Sequence, residues 1–379
     1  MERHARSWRP IISSSAILSL ALLGDALIYA VLPVHAEAFG LTLPWVGVML
    51  SANRFIRVAA YGLVARLTLA IGVRRICMLA ATVATLTTAL YGLGHGPAFI
   101  LGARLLYGLS FAALLLATFV YAVEYRDEVG VRVGVSRAIQ RLGPIVALLS
   151  GTWMVGWLGP NAVFVVLAVP TALSIAVAFT LPDLQPAPSQ HDQTKSIARP
   201  NTIDLVFFLL GYGIDGLFAI SITLILAGET SLSAALVGGG LLLAMRHVGE
   251  AVAAPLFGWI ADRLGAYRVF VGAAAMTVLG FSLIAFGVTV AGALLMLVFR
   301  GALASLGPAL IVQETAADQH PLGRLAQMQA WRDLGAAFGP LVTGFALGFV
   351  SAEVQHGIYA AVLAGMFLTW LLIRKRRRP

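Results

Sequence analysis

Nearly the whole chain repeats one pattern: about twenty mostly apolar residues, a short polar break, then another apolar run. Crossing bilayer hydrocarbon takes roughly 17 to 25 such residues, and a lipid-facing backbone must satisfy its own hydrogen bonds, which a helix does. On that measure twelve spans are predicted, over residues 11–34, 44–65, 76–94, 98–121, 133–157, 162–181, 204–227, 233–260, 269–289, 291–312, 325–350 and 353–373. Composition agrees, because only 11% of the 379 residues are charged, whereas soluble domains carry about a quarter. Such a chain cannot cover a water-facing surface. Arg3, Arg6 and Arg9 before an apolar run resemble the start of a secretory signal, but the run from Ile11 to Val34 is longer than a signal's apolar region and is read as the first helix.

The basic residues test this count independently, since Lys and Arg gather on the cytoplasmic side of membrane proteins. With the N-terminus cytoplasmic, that side receives Arg3, Arg6, Arg9, Arg66, Arg74, Arg75, Arg126, Arg132, Lys195, Arg199, Arg263, Arg268, Arg324 and the cluster from Arg374 to Arg378. The loops on the other side, near 35–43, 95–97, 158–161, 228–232, 290 and 351–353, contain neither Lys nor Arg. One helix more or fewer would put basic loops on the wrong side from that point onward. The expectation is a multi-pass protein of the cell inner (plasma) membrane with both termini cytoplasmic. The net charge of +9 does not imply nucleic-acid binding, because the basic residues form no continuous stripe.

The longest polar stretch, Pro182 to Pro200, reads as a linker. It divides the chain into an N-terminal half, 1–181, a cytoplasmic linker, 182–203, and a C-terminal half, 204–379. A shift of 196 places Gly62 on Gly258, Arg104 on Arg300, Gly143 on Gly339 and Pro144 on Pro340. Two intramembrane arginines and two Gly-Pro steps at one offset indicate a duplicated unit, and parallel six-helix repeats are a known transporter architecture. The fold class expected is an all-α integral membrane protein, twelve transmembrane helices in two pseudo-symmetric six-helix bundles. Asp25 and Asp215 are 190 apart, so the repeat carries a gap there.

Within the predicted spans lie Arg54, Arg57, Arg104, Arg137, Arg141, Arg246, Arg300 and Arg332, against Asp25, Asp215, Glu250 and Asp333. A charge at the bilayer centre costs at least about 2.5 kcal/mol on insertion scales, so these groups should face a partner or a wet cavity. Structural ion pairing and snorkelling at helix ends are the plainer alternatives. Cys77 stands alone in an apolar run, the histidines lack metal-ligand spacing, and there is no phosphate-binding G-x-x-x-x-G-K-[ST] loop. No catalytic residue, metal or cofactor is therefore expected. An ion gradient is the expected energy source.

Three motifs carry a family resemblance. Gly258-Trp-Ile-Ala-Asp262-Arg263-Leu-Gly265-Ala-Tyr-Arg268 resembles the signature loop of the major facilitator superfamily, Gly-x-x-x-Asp-Arg-x-Gly-x-x-Arg. The first-half counterpart, from Gly62 to Arg75, departs from it: Arg66 stands where Asp is expected, and two extra residues precede Gly72. Arg104-Leu-Leu-Tyr-Gly108 resembles the fourth-helix Arg-x-x-x-Gly motif of proton-coupled exporters in that superfamily. Gly335-x-x-x-Gly339-Pro340 resembles the Gly-rich fifth-helix motif of antiporters, but on the eleventh helix.

The resemblance implies a secondary transporter working by alternating access, with proton-coupled efflux as the first reading. Ion-coupled uptake of a small organic anion or metabolite is the alternative, and a multispan enzyme or sensor is the alternative of another class. It also implies proton coupling at Asp25 and Arg104, with Asp215 as second-half equivalent, since burial raises a carboxylate's pKa and a nearby arginine lowers it. Tyr29, Asn53, Arg54, Tyr107, Arg246, Glu250 and Arg300 are the substrate-cavity candidates. Gly62, Gly258, Asp262, Arg263, Gly265 and Arg268 are the candidates for a latch, in which Asp262 pairs with a basic group or a helix N-terminus in one state only. The partners implied are a small-molecule substrate, protons or another coupling ion, and the lipid bilayer, with a monomeric protein and no nucleic acid.

Overall fold

The computed structural model describes residues 8–32, 35–124, 128–184, 199–229, 232–314, 321–347 and 349–377. Arg3, Arg6, Arg126, Arg378 and most of the expected linker, 185–198 with Lys195, lie outside the described residues. Twelve helical segments follow one another: α1 (Arg9–Val31), α2 (Leu43–Ile71), α3 (Val73–Leu93), α4 (Pro97–Val123), α5 (Val129–Val146, continuing through a π turn at Ala147–Gly151 into Thr152–Leu158) and α6 (Ala162–Phe179). They continue as α7 (Thr202–Tyr212, a π turn at Gly213–Leu217, then Phe218–Glu229), α8 (Leu232–Leu264), α9 (Ala266–Ala285), α10 (Thr289–Glu314), α11 (Leu322–Ala346) and α12 (Ala352–Arg377). No strand occurs among the described residues.

Seven of these, α1, α3, α4, α6, α9, α10 and α12, are long and apolar enough to cross a membrane by length and composition alone. The other five are either charged or interrupted. Packing accounts for the charged ones: α5 lies against α8, and α2 against α11, so their ionic groups meet one another instead of lipid. Elsewhere α1 packs on α5 and α6, α2 on α4, and α3 on α4 and α6; α7 packs on α11, α8 on α10, and α9 on α10 and α12. The outer faces of α3, α6, α9 and α12 expose Leu79, Leu86, Val169, Leu173, Leu279, Leu368 and Leu372, as hydrocarbon-facing surfaces should.

The connections are tighter than the sequence suggests. Between α2 and α3 stands one residue, Gly72 (φ 87°), and between α8 and α9 one residue, Gly265 (φ 90°). Only glycine takes such backbone angles without strain. Consequently Arg66, Arg74, Arg75, Arg132, Arg263, Arg268 and Arg324, expected in loops, belong to helices that extend past the predicted spans. Arg132 is even buried, beside Glu128 at 3.5 Å and with its guanidinium 5.5 Å from the Trp8 ring centroid.

The two Gly-Pro steps do the same job in different places. A side chain on Gly143 would overlap the Ser19 carbonyl of α1, and one on Gly339 would overlap the Tyr212 carbonyl of α7. Each glycine thus lets a helix (α5 or α11) close on its neighbour to backbone contact.

Candidate functional site

Two clusters of buried charge lie between the helices. The first joins α1, α2 and α4. Gly108 has no room for a side chain beside Ile56 and the Asn53 carbonyl, so α4 approaches α2 closely and delivers Arg104 one turn earlier. The fully buried guanidinium donates to Asp25 Oδ1 through Nη1, to the Met49 carbonyl through Nε at 3.1 Å, and to the Tyr29 hydroxyl through Nη2 at 3.2 Å. Asn53 Nδ2 donates to the same Asp25 oxygen at 3.0 Å. The aromatic rings of Tyr29 and Tyr91 lie beside the cation, 5.2 and 5.9 Å away. Expected partners Asp25 and Arg104 are thus brought together, with Tyr29 and Asn53 around them. Tyr107 differs from the cavity expectation: it is fully buried and its hydroxyl donates to the Ala21 carbonyl at 3.1 Å, tying α4 to α1.

The second cluster joins α7, α8, α10 and α11 and reaches across to α5. Asp215 projects from the π turn Gly213–Leu217; Gly213 lies against the Tyr359 ring and Gly216 against the Gly339 backbone. Such single-turn insertions are frequent at functional sites. Three arginines converge on Asp215: Arg300 at 3.0 Å, Arg332 at 3.0 Å and Arg246 at 3.4 Å. Arg300 also donates to Glu250 at 2.7 Å and to the Arg246 carbonyl at 3.4 Å. Arg104 and Arg300 therefore repeat one arrangement: Arg104 spans a carboxylate on α1 and a carbonyl on α2, and Arg300 a carboxylate on α7 and a carbonyl on α8. Glu250 takes a further bond from Arg141 of α5 at 2.8 Å.

The candidate Arg54, with Arg57, Tyr61 and Asp333 from outside the candidate set, makes the α2–α11 contact, and Arg137 of α5 is a further buried charge outside that set. Arg57 lies 3.3 Å from Asp333, and the Tyr61 hydroxyl donates to Asp333 at 2.7 Å. Arg54 donates to the Ala336 carbonyl at 2.7 Å. Arg137 reaches Gln140 at 3.4 Å and lies over the Phe119 ring. The signal for all of these was present as charge inside a predicted span, but their pairing depends on helices far apart in sequence.

Asp262 accepts the backbone N–H groups of Gly130 at 2.9 Å and Val131 at 2.8 Å. It thereby caps the positive end of α5. Gly258 and Gly130 make this possible, since a side chain on Gly258 would overlap the Gly130 carbonyl oxygen. Gly265 forms the corner, Arg263 is exposed over the Trp259 ring at 3.8 Å, and Arg268 is exposed. Gly62 is a buried residue of α2, whose corner with α3 carries Arg66 in place of the acid. Replacing Gly258 with Val is expected to wedge α5 from α8 at this end. Spin labels at the exposed positions Glu128 and Leu264 would read it as growth of a longer-distance population, with Asp262→Asn giving a smaller shift in the same direction. Unchanged distances in both variants would rule out a latch.

Beside the second cluster a space of about 20 Å³ is lined by Asp215, Arg300, Arg332 and apolar neighbours, enough for one water. A much larger pocket, about 580 Å³, lies elsewhere and is overwhelmingly apolar. The candidate site is placed at the charges and not at the larger pocket, because only the former can recognise and orient a polar solute.

This arrangement is an all-helical bundle with a recurring buried arginine–carboxylate pair, the kind of fold seen in membrane transporters. The chain belongs to the major facilitator superfamily, whose family model matches residues 15–206. Among solved structures, it is similar to the human organic anion transporter MFSD10 (17% identity, 95% of this chain and 98% of that one, TM-score 0.75). It is also similar to the E. coli fucose:proton symporter FucP (13% identity, 96% of this chain and 98% of that one, TM-score 0.76). No curated protein sequence matches.

Proposed function

We propose that this protein is a proton-coupled secondary transporter of small organic anions, with twelve transmembrane helices in two six-helix halves, 1–181 and 204–379, joined by a cytoplasmic linker at 182–203. The observation that carries this reading is charge imbalance: among the described residues, Arg141, Arg246, Arg300 and Arg332 share two carboxylates, Asp215 and Glu250. Arg54 adds a guanidinium bonded only to a carbonyl among its described contacts. An arginine fork binds carboxylate or phosphate in two parallel bonds, so a substrate anion would complete a site that the protein leaves cation-rich. The similarity to a transporter described as carrying organic anions, and to a proton symporter, supports the same reading.

The protein is placed in the inner (plasma) membrane as a monomer, with both termini cytoplasmic. The α5–α8 contact runs from mid-helix, at Arg141 and Glu250, to the basic end, at Asp262, while the α2–α11 contact is held mid-helix, at Arg57 and Asp333; we read this conformation as closed toward the cytoplasm. Asp25 carries the proton: neutralised, it releases Arg104, and the first half can rearrange. Export is the direction supported by Arg104-x-x-x-Gly108.

The test is a competition series in which charge varies at constant shape, repeated with Arg54→Gln and Arg246→Gln. Anions are expected to outcompete neutral and cationic analogues, and each substitution to weaken anion binding by about tenfold, the value of a charge-assisted hydrogen bond. Equal competition by cations and neutral analogues, unaltered in both variants, contradicts the anion reading.

A further inference from the structure

The 580 Å³ pocket belongs to neither charged cluster. It is enclosed by α7, α11 and α12, and its rim residues Phe338, Val342, Ile358 and Val362 are 42 to 57% exposed. The polar groups in its wall are engaged: Tyr359 donates its hydroxyl to the Leu209 carbonyl at 2.6 Å, and Gln355 donates to the Val350 carbonyl at 3.0 Å. An apolar opening on the outer face of a membrane protein meets lipid hydrocarbon, and an apolar cavity of this size does not hold ordered water, which needs polar partners.

The pocket wall also braces the second cluster. Tyr212 and Tyr359 stack with centroids 5.9 Å apart, and the Tyr359 ring covers Gly213, the first residue of the π turn that presents Asp215. Leu217, the last residue of that turn, lines the pocket. Whatever fills the space presses on the backbone that aims Asp215 at Arg300 and Arg332.

We infer that this pocket is a lateral binding site for the acyl chain of a bilayer lipid, and that its occupancy holds the π turn and so tunes the affinity of the charged cluster. The second part rests on the anion reading above; the first does not.

Phosphatidylcholine vesicles containing the protein and a trace of phosphatidylcholine with a diazirine in its acyl chain would be irradiated and the adducts located by mass spectrometry. A parallel sample would carry a free diazirine fatty acid instead. Adducts are expected on the interior residues Tyr212 and Leu217, as well as on the lipid-exposed control Leu341. Filling the pocket with Val342→Trp, or separately with Ala346→Leu, is expected to remove the interior adducts, spare Leu341, and change anion affinity by about fivefold or more, the lower range of coupling between two sites. Adducts confined to exposed positions, or interior adducts from the free fatty acid alone, would overturn the lipid site. Interior labelling that the filled variants abolish without any change in anion affinity would overturn the coupling; if anion binding itself is absent from wild type, the labelling still decides the site.

Discussion

Replacing Asp25 with Asn is expected to abolish accumulation driven by a pH gradient while substrate exchange at equal pH remains measurable. The introduced amide keeps an oxygen to accept from Arg104 but has no proton to exchange, so coupling is lost and the geometry is largely kept. Arg104 is fully buried and Asp25 nearly so. Removing one member of a buried ion pair costs about 3 to 5 kcal/mol, and the exchange measurement therefore also serves to show that the variant is folded. Arg104→Lys is expected to fail differently. Lysine keeps the charge but is a single point donor, and it cannot reach Asp25, Tyr29 and the Met49 carbonyl together as the guanidinium does. Proton-driven accumulation at the wild-type level in Asp25→Asn would remove Asp25 from the coupling mechanism.

The second large effect concerns Arg300, the only residue that bridges Asp215 and Glu250 among the described ion pairs. Arg300→Gln removes the cation that joins the two carboxylates, leaving Asp215 to Arg246 and Arg332 and Glu250 to Arg141, and a loss of about 3 kcal/mol in unfolding free energy is expected from the charge-assisted bonds removed. Glu250→Gln alone strands Arg141 instead. The double variant removes both members of one pair, so its cost should be smaller than the sum of the singles by about 1 to 3 kcal/mol. Reversible denaturation in detergent would measure all three. Additive costs would show that the bridge contributes nothing beyond its separate ends.

Much of this site was legible because a charge inside an apolar span demands a partner. That rule singled out Asp25, Arg104, Asp215, Arg246 and Arg300 as groups needing partners, and the family resemblance of Arg104-x-x-x-Gly108 suggested which of them would meet. It also explains why α2, α5, α8 and α11, which carry charges in sequence, pack α2 against α11 and α5 against α8 with those charges facing each other. For the signature Asp262 the sequence left two partners open, a basic group or a helix N-terminus, and the structure has it on the N-terminus of α5.

Other features were hidden for physical reasons. The π turn under Asp215 depends on Gly213 and Gly216 being pressed against Tyr359 and Gly339, contacts more than a hundred residues distant in sequence. The role of Tyr107 depends on which way a buried ring points, and hydropathy carries no such information. Helix ends were misjudged because hydropathy marks where hydrocarbon stops, whereas the helices stop at Gly72 and Gly265, where the backbone turns.

The most direct test of the account is flux into and out of sealed vesicles holding the purified protein, with a pH gradient imposed in each direction and a matched series of anionic, neutral and cationic compounds. The account predicts that only anions accumulate against their gradient, that their movement is opposite to that of protons, and that dissipating the pH difference stops it. Accumulation of cations or neutral compounds, or anion flux indifferent to the pH gradient, would contradict it.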